Sequence, residues 1–426
     1  MKKQEMVLFI YGGLATVGGI ETYIYKMMKQ LQAGGVKVGL LKKKNTGIAD
    51  CFREELLGGN VFVLEKISPE KIRNYAEKNN IKSLKIIAFS VFDFATAEKL
   101  RRALSDYKVD SFYFVPHYCG AAYYPEEAFH GAKAESVRNK MATIFQKTYE
   151  NGSLLYFSDK HIASVKSAYG VGDSDAEDFM VPRTIDVEKL LDEEDLKAIY
   201  NRNEFKILAV SRIEFPHKGF FYGLLQTYIR MKPKYPQLTL TIVGDGPNLN
   251  DLKQLLADVD EAIVKDVTFT GAVAPDKLND YYCDANLLIA VAGSLTIGAK
   301  QGTLCIPARH YSYDCEVYGF MPEAAPFVIS EEKGMDVEPF IEQAMCLSFD
   351  EYVDRCKRTA AFYQEEEKQI KTIFEIKNLT ENPVLSLKDI KYIKHLEQSI
   401  CGLPARAYKL LKREGLVQAI IRKIKR

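Results

Sequence analysis

The feature that most narrows the fold of this chain is an alternation of short apolar runs with amphipathic stretches, run through once before residue 171 and again after residue 204. In the first series the runs are Met6–Tyr11, Val36–Leu41, Val61–Leu64, Leu84–Phe89, Ser111–Val115 and Leu154–Ser158. Helical patterns lie between them, such as Glu21–Ala33, where Ile20, Ile24, Met27 and Leu31 share one face. Runs of this length, apolar at nearly every position and separated by helices, predict a parallel sheet covered on both sides. The second series holds Ile207–Val210, Leu238–Val243, Val267–Thr270, Leu287–Val291, Leu304–Pro307 and Phe327–Ile329. The expected fold class is therefore α/β, with two Rossmann-like domains facing a cleft.

A chain of 426 residues is too long for one compact core, which agrees with two domains. The first domain is assigned to residues 1–186 and the second to 204–380. Between them lie a Gly/Asp/Ser-rich stretch at 171–178 and a passage, Asp186–Glu204, that contains the acidic patch Asp192–Asp195. From Val337 onward the pattern is helical, and residues 381–426 form a helical basic tail. Its last part, 407–426, carries seven cations against one Glu, with Leu410, Leu411, Leu416, Val417, Ile420, Ile421 and Ile424 as the apolar component. Such a helix either lies on anionic lipid or packs on the protein with a solvated basic face.

Several classes are disfavoured at once. A net charge of +1 gives no global field to recruit nucleic acid. The eight cysteines form no C-x-x-C pair and no zinc-site spacing, so scattered reduced thiols and no metal are expected. Asn378-Leu379-Thr380 fits a glycosylation pattern but reads as a chance match in a cytoplasmic chain. Four glycines break the apolar stretch near the N-terminus, which suits a strand, loop and helix better than a signal peptide. No apolar run is long enough to span a membrane.

Three loops can carry chemistry. Arg212 and Lys218 follow the Ile207–Val210 run, and Gly219 opens a helical pattern. Two cations on a strand-end loop ahead of a helix N-terminus suit a doubly charged anion such as a diphosphate; a surface loop with ordinary charges is the alternative. Gly12-Gly13 and Gly18-Gly19 sit between the first strand and helix, where bare backbone could approach an anion or simply turn. Their spacing is not G-x-G-x-x-G, and Gly19 stands where a Walker motif needs lysine. Gly244 and Gly246, in the run Ile242–Pro247, allow a sharp turn at a sheet rim.

Together these residues resemble the family 4 retaining glycosyltransferases, which have the GT-B fold. Gly18-Gly19-Ile20-Glu21 is similar to that family's N-terminal signature, and Ser211-Arg212 with Lys218-Gly219 to its donor-phosphate loop. IVGDGP, then VTFTGAV at 267–273, then Tyr281-Tyr282 before ANLLIAV follow the family's order. Val181-Pro182 with Ile185-Asp186 resembles its interdomain segment. The resemblance covers residues 6 to about 345. It implies a nucleotide-sugar donor held mainly by the second domain, with Arg212 and Lys218 on the diphosphate, and His117 in the cleft near the transferred sugar. Fixed cations could then stabilise the departing diphosphate without a metal or other cofactor.

One part of the family pattern is missing. Two glutamates eight apart are expected in the stretch Val291–Gln301, yet the matching positions hold Ala292 and Lys300. Neither side chain can accept a hydrogen bond from a sugar hydroxyl. Backbone N–H groups of Ser294 and Leu295, after Gly293, can still meet phosphate at a helix start. Asp314 and Glu316 could supply carboxylates from the next loop, or form an exposed acidic loop. Three functions follow in order: a cytoplasmic retaining glycosyltransferase acting on a glycan or lipid-linked acceptor in surface polysaccharide synthesis, with the inner face of the cell membrane as an alternative peripheral location; a non-catalytic GT-B subunit that stabilises or targets an active glycosyltransferase; and a nucleotide-sugar epimerase, against which the family-like order of motifs argues.

Overall fold

The computed structural model describes residues 4–44, 46–115, 129, 131–157, 159–171, 180, 189–368 and 376–401. His117, Val181–Asp186 and the basic segment 407–426 lie outside the described residues.

Two parallel sheets carry the architecture. The first contains β1 (Glu5–Ile10), β2 (Lys37–Leu41), β3 (Val61–Leu64), β4 (Ser83–Ala88), β5 (Lys108–Phe114) and β6 (Leu154–Leu155), in the order β3-β2-β1-β4-β5-β6. Its residues alternate between two cores. Val7 and Phe9 pack with Tyr23, Ile24 and Met28 of the Gly19–Ala33 helix. Leu8 and Ile10 pack with Phe94, Ala97 and Leu100 of the Val91–Ala103 helix on the opposite face. This two-sided burial explains why the strands are apolar throughout.

The second sheet contains β7 (Phe205–Val210), β8 (Leu238–Val243), β9 (Val267–Gly271), β10 (Leu287–Ala290) and β11 (Cys305–Pro307), in the order β11-β10-β7-β8-β9. Here Ile207 and Ala209 meet Phe220 and Leu224, while Leu208 and Val210 meet Leu295 and Ala299. In each sheet the strand order reverses once, between β1 and β4 in the first and between β7 and β10 in the second. Adjacent strands there send their connections to opposite faces, which opens a crevice beyond their C-terminal ends.

Three expectations are corrected. The predicted strand Phe327–Ile329 is instead a 3-10 turn at Ala325–Phe327. Pro326 cannot donate to a ladder, and the Val328 carbonyl instead accepts the Ala292 N–H at 3.0 Å. A short antiparallel pair, β12 (Glu316–Val317) with β13 (Met335–Asp336), flanks that turn. The acidic patch is no open linker. Asp192 and Asp195 form a reciprocal capping box on the Glu193–Tyr200 helix, whose Leu196 and Ile199 join the second core.

The third correction concerns the C-terminal part, which is not a continuous helix and does not stay with the second sheet until residue 380. Helices Glu338–Cys346 and Phe349–Lys368 belong to the second unit, and by Ile376 the chain has reached the first sheet. The Asn378 amide is bonded to both backbone groups of Ser111 in β5, at 2.7 and 3.0 Å. β6 pairs with β5 only at Tyr113 and Phe114, so Asn378 satisfies the edge groups below. Thr380 donates to the Asn151 side chain, which gives the Asn-x-Thr triplet a packing role. The Leu387–Cys401 helix then buries Ile390, Ile393, Leu396 and Ile400 against the Val91–Ala103 helix. Asp389 anchors its start, bonded by Lys140 at 2.7 Å and Lys147 at 2.9 Å.

Candidate functional site

The crevice of the second sheet brings together the loop after β7 and the helix after β10. Residues 211–219 are shaped by the glycine turn beside them. The Ser211 N–H bonds the Val243 carbonyl, and the Ile213 N–H bonds the Asp245 carbonyl at 3.0 Å. Asn248 accepts the Phe215 N–H at 2.8 Å. A Cβ on Gly244 would land on the Ser211 carbonyl, and one on Gly246 on the Ile213 carbonyl. These two glycines therefore let one loop lie flat on the other, so their placement is accounted for by packing rather than by an approaching ligand. Asp245 holds its own turn by accepting the Gly246 N–H at 2.7 Å.

Arg212 and Lys218 project from this scaffold. The Arg212 guanidinium is paired with Glu214 at 3.5 Å, and both side chains are partly solvent-exposed. Lys218 closes one helical turn on Glu214, its N–H bonding that carbonyl at 2.8 Å, just before the Phe220–Met231 helix. Glu214 thus orients one cation and begins the turn carrying the other. The sequence offered only its position two residues after Arg212.

Across the strand reversal stands the Ala292–Gln301 helix, with no side-chain cap at its start. Gly293 and Ser294 are partly exposed there, and N–H groups in a first helical turn lack i−4 partners. Leu295 is buried in the core, leaving only its backbone for such a role. Ala292 has φ +51°, a left-handed conformation that a non-glycine residue adopts under strain. Lys300 is 3 % exposed on the packed side of the helix. Neither position supplies a carboxylate. Glu316 does not replace them, since it pairs with Arg309 within its own loop and accepts from Ser312. The crevice therefore joins two cations to a helix start that has no side-chain cap, its first N–H alone being taken by the Val328 carbonyl, a combination that favours an anion.

The rim of the first sheet differs. Glu21, in the first turn of the Gly19–Ala33 helix, accepts from Tyr11 and Thr16, each at 3.2 Å. A Cβ on Gly18 would sit 2.5 Å from that carboxylate, whereas Gly19 faces open space. Burial raises the Tyr11 hydroxyl pKa well above its ordinary value, and Glu21 adds to this, while the Arg212 charge opposes it. That last influence comes from the second domain. Asp276, after β9, also receives bonds from Tyr25 at 3.4 Å and Lys29 at 3.2 Å on the first helix.

Across the reversal from Tyr11, Ser90 caps the Val91–Ala103 helix and donates to Asp93 at 2.8 Å. Burial pushes the Asp93 carboxyl up to about 6; Ser90, Lys43 and Lys394 pull it down and Glu397 adds to the rise. Sequence reasoning missed Asp93, although Ser90 and Asp93 have the spacing of a capping pair.

The matches to known proteins fall on this same arrangement. Residues 204–300 match the family described as Glycosyl transferases group 1. This stretch of the chain is similar to that family. The matched segment runs from β7 into the Ala292–Gln301 helix and so includes Arg212, Lys218 and both glycines of the turn. An alpha-monoglucosyldiacylglycerol synthase from Streptococcus pneumoniae is 28% identical over 128 residues, and the match spans 28% of each chain, little more than a quarter of that relative's length.

Among solved structures, HepE from Anabaena, determined with UDP and glucose, superposes with a TM-score of 0.53 at 13% identity. The superposition covers 92% of this chain and 99% of that one. A TarM variant from S. aureus, determined with Fondaparinux, alpha-GlcNAc-glycerol and UDP, superposes with a TM-score of 0.50 at 8% identity, covering 92% and 99%. With two parallel-sheet domains in hand, these likenesses establish the GT-B fold. No helix among the described residues is long and apolar enough to cross a membrane.

Proposed function

We propose that this protein is a retaining glycosyltransferase that moves a sugar from a nucleoside-diphosphate sugar to a glycan or lipid-linked acceptor in surface polysaccharide or glycolipid synthesis. One observation carries the reading. The strand reversal between β7 and β10 puts the loop of Arg212 and Lys218 next to a helix start with no side-chain cap, inside the matched segment. Breaking the sugar–phosphate bond leaves an oxocarbenium-like sugar and a diphosphate whose charge grows as it departs. Two fixed cations and the N-terminal end of a helix oppose that growing charge in place. The leaving group is weakly basic, so charge stabilisation serves it better than protonation, and no metal is required in this scheme. His117 would lie in the cleft on the acceptor side.

UDP in the solved complexes of HepE and TarM makes uridine diphosphate donors the first to test. The relative's name denotes a glucolipid product, and the basic segment 407–426 would bring a lipid-linked acceptor's membrane close. The expected result is donor-dependent release of nucleoside diphosphate that rises with acceptor. Near-normal turnover in Lys218→Ala would remove the basis for the assignment. For the tail, a chain ending near residue 405 should lose binding to anionic vesicles in co-sedimentation; undiminished binding refutes the membrane role.

The second reading, a non-catalytic subunit, draws on Ala292 and the buried Lys300 where carboxylates are expected. A chain that shows no nucleotide-dependent thermal shift at millimolar concentrations would favour it. An epimerase would interconvert the donor sugar without acceptor.

A further inference from the structure

We propose that Tyr311, seated on His217, is the platform against which the pyranose ring of the donor stacks. This rests on the nucleotide-sugar reading above. Tyr311 lies on the loop after β11, and its N–H bonds the His217 carbonyl at 3.2 Å. Its ring stacks on the His217 imidazole, with centroids 4.8 Å apart and planes 27° from parallel. His217 immediately precedes Lys218, so the tyrosine ring stands one residue from the cation assigned to the diphosphate. Gly219 packs beneath the Ser312 carbonyl, which draws the two loops together with no side chain between them.

Two features of Tyr311 are unexplained by folding. Its backbone has φ +56°, and the ring is nevertheless 49% exposed. A left-handed backbone at a bulky residue is strained, and such strain concentrates where a ligand is clamped. Burial returns little of that energy to a ring half in water. Among the described residues only Asn80, Ala292 and Tyr311 combine a side chain with positive φ, and the last two both lie on the rim of the second sheet.

The chemistry of the missing carboxylates points the same way. With Ala292 and Lys300 in the matching positions, that helix offers no acid to accept sugar hydroxyls. A pyranose also has a face of C–H groups, which packs on an aromatic ring through dispersion and apolar burial. A sugar bonded to the diphosphate is tethered close to Lys218, within reach of the ring beside it.

The test titrates the full-length protein with uridine, guanosine and adenosine diphosphates and with their glucose conjugates, using calorimetry. Tyr311→Gly removes the ring and also suits the positive φ, so the fold is retained and thermal stability should not fall. Tyr311→Phe keeps the stacking face. The expected result is about a tenfold weaker affinity for the glucose conjugate in Tyr311→Gly, the scale of one aromatic stack, with the bare diphosphate unchanged and Tyr311→Phe like the parent. Equal weakening of diphosphate and conjugate would place the base, not the sugar, on this ring and overturn the proposal. Unchanged conjugate affinity in Tyr311→Gly, with the parent binding it, would overturn the proposal and leave the nucleotide-sugar reading standing. Failure of the parent to bind any of these compounds would overturn both.

Discussion

The two crevices are built on the same topological device and finished with opposite chemistry. At the second sheet, cations on one loop lie across the reversal from a helix start with no side-chain cap, and Glu214 and Glu316 are tied to Arg212 and Arg309. At the first sheet, Glu21 folds over its own helix start, and Asp93 lies across the strand reversal from Tyr11. A strand reversal provides a hollow without deciding what enters it. The residues in the first turn after each strand set the sign. A diphosphate is compatible with the second rim and is repelled by the carboxylates of the first, which suits a bound substrate with its charged end on one side only.

The sharpest way to break this comparison is to neutralise the second rim. Arg212→Ala or Lys218→Ala should each cost on the order of 2–4 kcal/mol of transition-state stabilisation, a fall of about 10²–10³ in kcat/KM. Initial rates of nucleoside-diphosphate release check this, and equivalent losses from Glu21→Gln would dissolve the distinction between the rims.

Next in size is Asp389→Ala. It removes the anchor of the helix that backs the first rim and leaves Lys140 and Lys147 without their shared carboxylate. A loss of about 2–3 kcal/mol in chemical denaturation is expected, scaled from buried ion pairs and reduced because both lysines are partly exposed. Burial alone would raise the Asp389 pKa, but the bonds from Lys140, Lys147 and Ser386 outweigh it and hold the carboxyl well below its usual range. The stabilisation is therefore present above the unfolded carboxylate value near 4 and disappears as pH falls through the native value. Asp389→Ala should flatten that part of the acid limb.

A smaller effect is expected from Glu21→Gln, which weakens two hydrogen bonds to a charged acceptor and removes a favourable charge from a helix start. A loss of about 1 kcal/mol in stability would fit.

Asp93 carries the opposite pH sign. Burial pushes its carboxyl up to about 6, above the ordinary aspartate value near 4. The folded state binds the additional proton between these values, so this residue's contribution to stability falls as pH rises through that window. Asp93→Asn should remove the slope there, measured as Tm against pH, and leave the Asp389 limb at lower pH unchanged.

Much of the architecture was legible because buried parallel strands announce themselves: Val61–Leu64 and Leu238–Val243 were bounded to the residue. Phe327–Ile329 failed because an apolar triplet after a proline has the composition of a strand without the backbone donors of one. In the second crevice, Arg212 and Lys218 were readable as cations on one loop, but Glu214 and Asn248 were not, since their roles depend on how the loop folds onto the next turn. Tyr311 and His217 lie 94 positions apart and meet only through the order of the strands. The return of the chain at Ile376 was invisible for a related reason. Asn378 matches a gap at the edge of β5, and nothing local to either segment records that match.

That return has a consequence for the order in which the protein is made. The first sheet leaves the ribosome early, yet the Val91–Ala103 helix that covers one of its faces is itself packed by the Leu387–Cys401 helix, near the end of the chain. During synthesis the N-terminal domain must wait, partly open, while the second domain is completed. Nascent chains that have not yet exposed residues 376–401 should therefore carry a finished second domain and an unfinished first one, so that the half of the protein made first is the last to close.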